Sequence, residues 1–223
     1  MVVNDVANAL LLDHAAGSLP EPLSLAVSTH VAINSEARAK YDALNEVGGL
    51  MIEEIEPVEL ADDAFDAMMT RLTDDVANSQ EDMAPKAKDV FDSRTRAVVP
   101  EPLRAYLPQS LDNLKWISRG RGVREYPIKM GTEGFSVSLL AIEPGQAIPN
   151  HTHRGREYTV VLEGAYEDGG MMVQAGDLVC NDDTDVHRPI ADQRDGCLCL
   201  AVIDAPLRFK GPLGWVINPF LRH

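Results

Sequence analysis

Three histidines and one glutamate lie close together in the second half of the sequence. His151 and His153 are separated by one residue, Glu157 follows four residues later, and His187 comes thirty residues after Glu157. Alternate residues of a β-strand face the same side, so both histidines of a His-x-His pair can point into one interior. Imidazole and carboxylate groups are ligands for borderline divalent ions. The sequence therefore predicts one metal site that consists of His151, His153, Glu157 and His187.

Short β-rich segments must position these side chains. From about residue 100 onward, runs of β-branched and apolar residues alternate with clusters of Gly, Pro, Asn and Asp, as in all-β domains. Residues 154–156 fit a turn, so Glu157 is expected to begin the returning strand and His187 to lie on a later strand. Gly145, Gly164 and Gly176 flank the four candidate ligands and fit turns between strands.

The spacing resembles the first cupin motif, G-x5-H-x-H-x3-E-x6-G, at every fixed position. The second cupin motif, G-x5-P-x-G-x2-H-x3-N, is kept only at its glycine and its histidine. Asp182, Thr184 and Ala191 stand at its proline, glycine and asparagine positions. These replacements alter turn chemistry and leave the ligand set intact. The resemblance implies a cupin fold, a double-stranded β-helix or jelly-roll barrel, with a metal ion inside it.

The first eighty residues have a different pattern. Apolar residues recur at helical spacing in four segments, and Gly17, Pro20 and the Gly48-Gly49 pair interrupt or end them. The polar stretch that follows has no clear periodicity, which is typical of a linker. We therefore expect a multi-domain chain of the α-then-all-β class, in which a small helical bundle precedes the cupin barrel. The expected boundaries are helices over 1–80, a linker over 81–98 and the β domain over 99–223.

The charge of the chain limits its partners. The formal net charge is −15, and residues 1–99 hold 19 acidic and 7 basic residues. Direct nucleic-acid binding is disfavoured because phosphate binding depends on Lys and Arg. An acidic half is steered toward a basic partner, and the same charge also serves solubility. With no run of 18 apolar residues and no positively charged leader, we expect no membrane association and a cytoplasmic protein.

A helical domain followed by a cupin is similar to the ChrR family of anti-sigma factors. Four segments carry this resemblance, residues 9–33, 43–49, 145–166 and 197–209. It implies that the N-terminal helices, residues 1–80, bind a sigma factor of the extracytoplasmic-function class. It also implies that the cupin senses a stress signal, such as singlet oxygen or an organic peroxide, and permits release of sigma. Members carry zinc in both domains, so the resemblance favours zinc in the cupin over iron, manganese or nickel.

The helical segment departs from the family at its zinc motif. The family pattern H-x3-C-x2-C reads here as His30, Asn34 and Ala37, so both thiolate positions are lost. Thiolates supply most of the affinity of such structural zinc sites. We therefore expect no zinc in the helical domain, and we interpret His30 as a histidine of the core or of a helix face.

Two cysteines form a C-x-C pair in a β-rich run. The side chains of Cys197 and Cys199 are expected to face the same way, with their Cα atoms about 6.5–7 Å apart, which disfavours an unstrained disulfide. One interpretation is that both are small buried apolar residues. The other is an oxidant-sensitive pair near the cupin cavity, which the family resemblance supports.

Two other functions remain open at this point. The same ligands serve cupin metalloenzymes of the dioxygenase or isomerase class when a coordination position stays open. No catalytic acid or base stands out in the sequence. A small-ligand-binding module is the third hypothesis, with the helices mediating a homo-oligomer. Zinc without turnover favours the regulator, whereas redox-active iron with oxygen uptake favours the enzyme.

Overall fold

The structure is a computed structural model that describes residues 4–79, 90–153, 155–204 and 207–209. Helices dominate the first part of the chain and strands the second, which confirms the predicted helical-then-all-β class. The described helices are α1 (Asn4–Ala15), α2 (Glu21–Ile33), α3 (Ser35–Glu53), α4 (Ala64–Ser79), α5 (Ser93–Val98) and α6 (Glu101–Arg104). A short 3-10 helix over Leu111–Asn113 precedes the first strand.

The β part has the antiparallel topology expected of a cupin. Its described strands are β1 (Ile117–Gly120), β2 (Val123–Ile128), β3 (Ser136–Ile142), β4 (His151–His153), β5 (Glu157–Asp168), β6 (Met171–Gln174), β7 (Leu178–Asn181), β8 (Ile190–Ala191), β9 (Cys197–Ile203) and β10 (Leu207–Phe209). The main sheet has the order β1-β2-β3-β9-β5-β6, and both β7 and β8 also pair with β5. Strands β4 and β10 form a separate pair.

The long strand β5 organises this sheet. Its first part lies between β9 and β7, and its second part pairs with β6 and β8. The register with β9 shifts between Val161 and Glu163, so the strand carries a bulge at Leu162. A bulge changes which residues of a strand face inward. Glu157, Thr159 and Val161 therefore share the inner face, and beyond the bulge the even-numbered residues take it over.

Strand β9 is buried on both faces. Cys197 and Cys199 belong to a cluster inside the barrel, the inner core, whose other members include Val161, Tyr166 and Val179. The alternate residues of β9 belong to a larger cluster on the opposite side, the outer core, and these are Leu198, Leu200 and Val202. All seven residues of β9 are buried as a result. Strands covered on both faces are expected to be continuously apolar.

The N-terminal helices complete the outer core. Helix α2 contacts β5 and β9, and α1 contacts β7. Leu11, Leu25 and Val27 of these helices are buried in the same cluster as Leu200 and Val202 of the sheet. The two regions that the sequence distinguishes therefore share one hydrophobic core. Helix α5 lies within the range 81–98 expected as a linker, and Asp92 caps it by accepting a hydrogen bond from the Thr95 amide at 2.7 Å.

The second half of α3 and helix α4 lie outside this core, whereas Ala37 in the first turn of α3 and Leu103 of α6 are buried in it. Helix α3 runs through Gly48 and Gly49 to Glu53, so the glycine pair does not end it. Every residue from Met51 to Asp63 is exposed, and so are the described side chains of α4 apart from the half-buried Ala64. Among the described residues, no helix is both long enough and apolar enough to cross a membrane.

Candidate metal centre and helix surface

Three of the four predicted ligands meet inside the barrel. His151 lies on β4, Glu157 is the first residue of β5, and His187 lies outside the regular strands, two residues before Pro189. The backbones of His151 and His187 form an isolated β-bridge with two N–O distances of 3.2 Å. One donor atom from each of the three side chains lies within 4.8 Å of the others, and all three residues are buried. A bridge thus replaces the strand expected at His187.

Hydrogen bonds fix which imidazole nitrogen is available in this cluster. His151 Nδ1 lies 2.9 Å from the carbonyl oxygen of Pro149. His187 Nδ1 lies 2.8 Å from Oδ2 of Asp168. A carbonyl oxygen only accepts, and a carboxylate accepts when ionised, so both Nδ1 atoms carry the proton and donate it. The Nε2 atoms are then the ones with a lone pair for a metal ion, as in carboxylate–histidine–zinc arrangements.

The spacing of the donor atoms fits a metal ion. His187 Nε2 and Glu157 Oε2 are 3.9 Å apart, which is too long for a hydrogen bond. Two donors on one tetrahedral zinc ion lie about 3.4 Å apart, given bonds of about 2.0–2.1 Å. The rings of His151 and His187 approach to 4.2 Å between centroids. The donor set of two imidazoles and one carboxylate therefore suits a divalent ion after a small inward movement.

The fourth predicted ligand stays a prediction. The backbone of His153 belongs to β4 and pairs with Leu207 of β10. Its side chain lies outside the described part of the structure. Alternation along β4 places His151 and His153 on the same face, which is the sequence argument for including it.

Asp168 contacts the candidate metal cluster and was missed by the sequence analysis. It is buried, and its second carboxylate oxygen lies 3.3 Å from the backbone nitrogen of Arg188. It stands eleven residues after Glu157, so strict alternation would place the two on opposite faces. The bulge at Leu162 shifts the phase and turns Asp168 inward. The one available signal was an acidic residue near the end of an apolar strand.

Asn181 is a second missed residue near the cluster. It is directly opposite Glu157 in the β5–β7 register, so both side chains project from the same face. Asn181 is 2% exposed, and its Oδ1 has no hydrogen-bond partner among the described residues. Buried acceptors are normally satisfied, and an unsatisfied one calls for an explanation. An oxygen beside a metal site suits either the ion or a water molecule on it.

The two cysteines of β9 face this interior as free thiols. Both are buried, and the structure contains no disulfide between them. The hydrogen bond with Cys197, together with burial, raises the pKa of the Cys199 thiol well above its usual range. The thiolate is the reactive form, so a raised pKa disfavours reaction of Cys199 with oxidants. Sensitivity of Cys197 and Cys199 to oxidants therefore stays a prediction.

The three residues at the degenerate zinc motif lie between the helices and the sheet. His30 is buried, and its Nδ1 lies 2.7 Å from the carbonyl oxygen of Gly176. Asn34 Nδ2 donates to the same oxygen at 3.2 Å. Ala37 is buried, and its amide donates to Asn34 Oδ1 at 3.0 Å. His30 is thus a core histidine, as one of the two interpretations expected, and it bonds to the cupin region.

Helices α3 and α4 expose large apolar side chains, which we call the apolar helix surface. On α4 they occur at positions i, i+3, i+4 and i+7 and so form one stripe: Phe65, Met68, Met69 and Leu72. On the second half of α3 and just beyond it they are Val47, Leu50, Met51, Ile52 and Ile55. Each of these side chains is at least 42% exposed. A stripe of this kind normally faces a core, and the described residues do not cover it.

Comparisons with known proteins match both halves of the chain. The family profile described as the ChrR cupin-like domain matches residues 108–205. The anti-sigma-E factor ChrR of Cereibacter sphaeroides is 39% identical over 217 residues, which is 97% of each protein. The crystal structure of Rhodobacter sphaeroides SigE in complex with the anti-sigma ChrR aligns with a TM-score of 0.68 and 36% identity. That alignment covers 88% of this chain and 96% of the other.

Proposed function

We propose that this chain, which belongs to the ChrR family of anti-sigma factors, sequesters a sigma factor of the extracytoplasmic-function class through residues 1–80. Binding keeps the sigma factor from transcription, and the chain itself contacts no nucleic acid. A sigma factor acts in transcription, which supports a cytoplasmic location for this activity. The cupin region holds one divalent metal ion and senses an oxidative or small-molecule stress that releases the sigma factor.

The apolar helix surface carries the partner assignment. The α4 stripe formed by Phe65, Met68, Met69 and Leu72 is exposed in the free chain, and monomeric proteins rarely leave such a patch uncovered. A helix that lays its apolar face into a groove of a partner is a common recognition mode. The excess of acidic residues in the same half, 19 against 7 basic, would steer it toward a basic partner surface.

The sensing assignment rests on the metal cluster. His151, Glu157 and His187 offer two imidazole nitrogens and one carboxylate, and we propose His153 as the fourth ligand. The family favours zinc over iron, manganese or nickel, and the donor set of imidazoles and carboxylate is compatible with zinc. A zinc ion supplies a fixed positive charge and a Lewis acid. The chain's own residues orient the ligands, because Asp168 and the Pro149 carbonyl hold both Nδ1 protons.

Co-purification tests the partner. The full-length chain and its candidate sigma factor are co-expressed and separated by size exclusion, and we expect a 1:1 complex. Met69→Asp places a charge in the α4 stripe and should weaken binding at least about 30-fold, equivalent to about 2 kcal/mol at a hot-spot position. Met172→Asp is the matched control, since Met172 is similarly exposed on β6 of the barrel.

Three results would argue against this function. They are equal binding by Met69→Asp and the wild type, equal loss in both variants, and a homo-oligomer that ignores the sigma factor. In the last case, elemental analysis and oxygen uptake decide between the alternatives. Stoichiometric iron with oxygen uptake would favour the cupin metalloenzyme, and a bound metabolite would favour the ligand-binding module.

A further inference from the structure

A single carbonyl oxygen of the sheet receives two side chains from the helices. His30 near the end of α2 and Asn34, which caps α3, both donate to the carbonyl of Gly176, at 2.7 Å and 3.2 Å. The partners are 146 and 142 positions apart in the chain. Asn34 uses its other amide atom, Oδ1, to cap α3 through the Ala37 amide. The junction between α2 and α3 is therefore bound to the turn between β6 and β7.

Glycine is required at the receiving end of this contact. Gly176 has φ +94°, a conformation that other residues rarely adopt. A Cβ atom there would lie 3.4 Å from Ile33 Cγ2 and 3.8 Å from Asn34 Cβ. The helix junction thus packs directly on the backbone of the turn. No side chain of the turn residue intervenes between the two regions.

The donor state of His30 is fixed by its surroundings. Burial lowers the pKa of His30, against smaller opposing effects of the Gly176 carbonyl and Asp177, while Lys40 lowers it slightly further. The imidazole is therefore neutral near pH 7, with its proton on Nδ1 for the carbonyl. Each donor serves the same acceptor, and a carbonyl oxygen has two lone pairs to receive them.

The turn that receives these bonds is tied to the strand that begins at Glu157. The Gly176 amide donates to the Val161 carbonyl at 2.9 Å, and the Val161 amide donates to the Asp177 carbonyl at 3.1 Å. From there β7 runs alongside β5 as far as the pair between Asn181 and Glu157. A continuous ladder of hydrogen bonds therefore connects the helix junction with a candidate metal ligand.

Packing follows the same route as the hydrogen bonds. Val160 of β5 and Leu178 of β7 face the helices in the outer core, next to Leu11 and Val27. Val161 and Val179, their neighbours in sequence, belong to the inner core on the opposite face of the sheet. Any shift of β5 or β7 on metal binding must move both faces at once, because interiors are closely packed.

From this geometry we propose that His30 and Asn34 form a latch on the Gly176 carbonyl that couples metal binding in the barrel to the order of helices α1–α3. The latch deepens the proposed function, on which it rests, by naming how a metal-centred signal reaches the helices that bind the sigma factor. Metal occupancy positions Glu157 and β7, which positions the turn, and the turn holds the α2–α3 junction. Coupling of this kind requires one element that both sites bias.

Hydrogen exchange of the full-length chain tests the latch, with Zn²⁺ alone as the probe. In the wild type, zinc should slow amide exchange in α2 and the start of α3 by about tenfold, a typical coupling between sites. In Asn34→Asp the carboxylate still caps α3, but it loses the donor and meets the Gly176 carbonyl with like partial charge. The zinc-dependent slowing in these helices should then fall to less than about twofold, while zinc still binds at one ion per chain.

Two further variants keep the outcome decisive. Asn34→Ser retains a capping oxygen without the amide donor and should show the same loss if Asn34→Asp is too unstable. His14→Gln is the matched control, since His14 bonds to Ser24 and Ser28 of α2 and none of its hydrogen bonds in the structure reaches the barrel. Full zinc-dependent slowing in Asn34→Asp and Asn34→Ser, or an equal loss in His14→Gln, would overturn the latch.

The sigma factor is not required for this measurement. Hydrogen exchange therefore tests the latch independently of sigma-factor binding. A wild-type chain that binds no sigma factor, but shows the zinc-dependent slowing and loses it in Asn34→Asp, would refute the proposed function and keep the latch.

Discussion

Helices α2 and α4 come from the same acidic, amphipathic half of the sequence, but they occupy opposite environments. In α2 only Glu21 is exposed, and the helix lies on β5 and β9 in the outer core. In α4 the stripe from Phe65 to Leu72 faces outward. This difference shows that an apolar stripe on a helix predicts burial but does not identify the surface that covers it. The stripe of α2 is covered by the cupin of the same chain, whereas that of α4 fits a second protein.

The largest expected effect contrasts two leucines of these helices. Leu25 of α2 is 4% exposed and Leu72 of α4 is 51% exposed. Leu25→Ala removes buried methyl groups and leaves a cavity, so it should lower the free energy of unfolding by about 2–5 kcal/mol. Leu72→Ala should change it by less than about 0.5 kcal/mol, as at most exposed positions. Urea denaturation of both variants checks the contrast.

The same two variants should reverse their order in sigma binding. Leu72→Ala removes part of the apolar helix surface and should weaken the complex, while folded Leu25→Ala should bind like the wild type. Equal destabilisation by the two substitutions would mean that α4 is covered in the free protein. The contrast between a covered α2 and an exposed α4 would then be wrong.

An intermediate effect is expected in the strands beneath α2. Asp168→Asn removes the carboxylate that orients His187, and loss of such a partner lowers metal affinity about 10–100-fold. Competition with a chromophoric chelator measures the affinity. Glu167→Gln is the control, since Glu167 neighbours Asp168 and its carboxylate instead receives the Gly170 amide. Unchanged affinity in Asp168→Asn would separate Asp168 from the metal site.

Asn181 gives a comparable test on the other side of the cluster. If Oδ1 of Asn181, which has no hydrogen-bond partner among the described residues, serves the metal ion or its water, Asn181→Leu should weaken binding and change the absorption bands of the cobalt-substituted protein. Cobalt spectra report coordination directly. Identical spectra and affinities would leave Asn181 with no part in the metal site.

The smallest expected effect is a pH dependence of the protein's stability that arises from His30 in the covered helix α2. Burial lowers the pKa of folded His30 below its unfolded value of about 6.5, so the unfolded chain binds more protons between the two values. The contribution of His30 to stability is therefore complete above about pH 6.5 and is lost as the pH falls through the folded pKa. His30→Leu should reduce the drop in urea midpoint between about pH 7.5 and 5.5. An unchanged drop would assign it to other groups.

The sequence predicted more of the candidate metal cluster, His151, Glu157 and His187, than of its surroundings. The spacing of His151, Glu157 and His187 follows from strand alternation and turns, which are local rules. Asp168 could not be found in this way, because the bulge at Leu162 reverses the strand alternation between Glu157 and Asp168. The contacts of His30 and Asn34 were also out of reach, since their partner lies more than 140 positions away and is a backbone atom.

The two-domain prediction likewise left out a long-range feature, the contact between the two halves. Helical and β patterns correctly distinguish the two halves, because periodicity is a property of each segment. Whether the halves touch depends on which faces meet. The alternation in β9 of Cys197 and Cys199 with Leu198 and Leu200 places apolar residues on both faces, and this was the available signal of a second covering layer.

The burial of β9 on both faces limits how this protein can change during evolution. Its helices cannot be exchanged for those of a relative as an independent module, because Leu198, Leu200 and Val202 would then meet the wrong side chains. A chimera should fold only if the α1–α2 face, the outward residues of β9 and the glycine at position 176 are transplanted together. Substitutions in the first thirty-four residues should therefore be inherited together with substitutions in strands encoded far downstream.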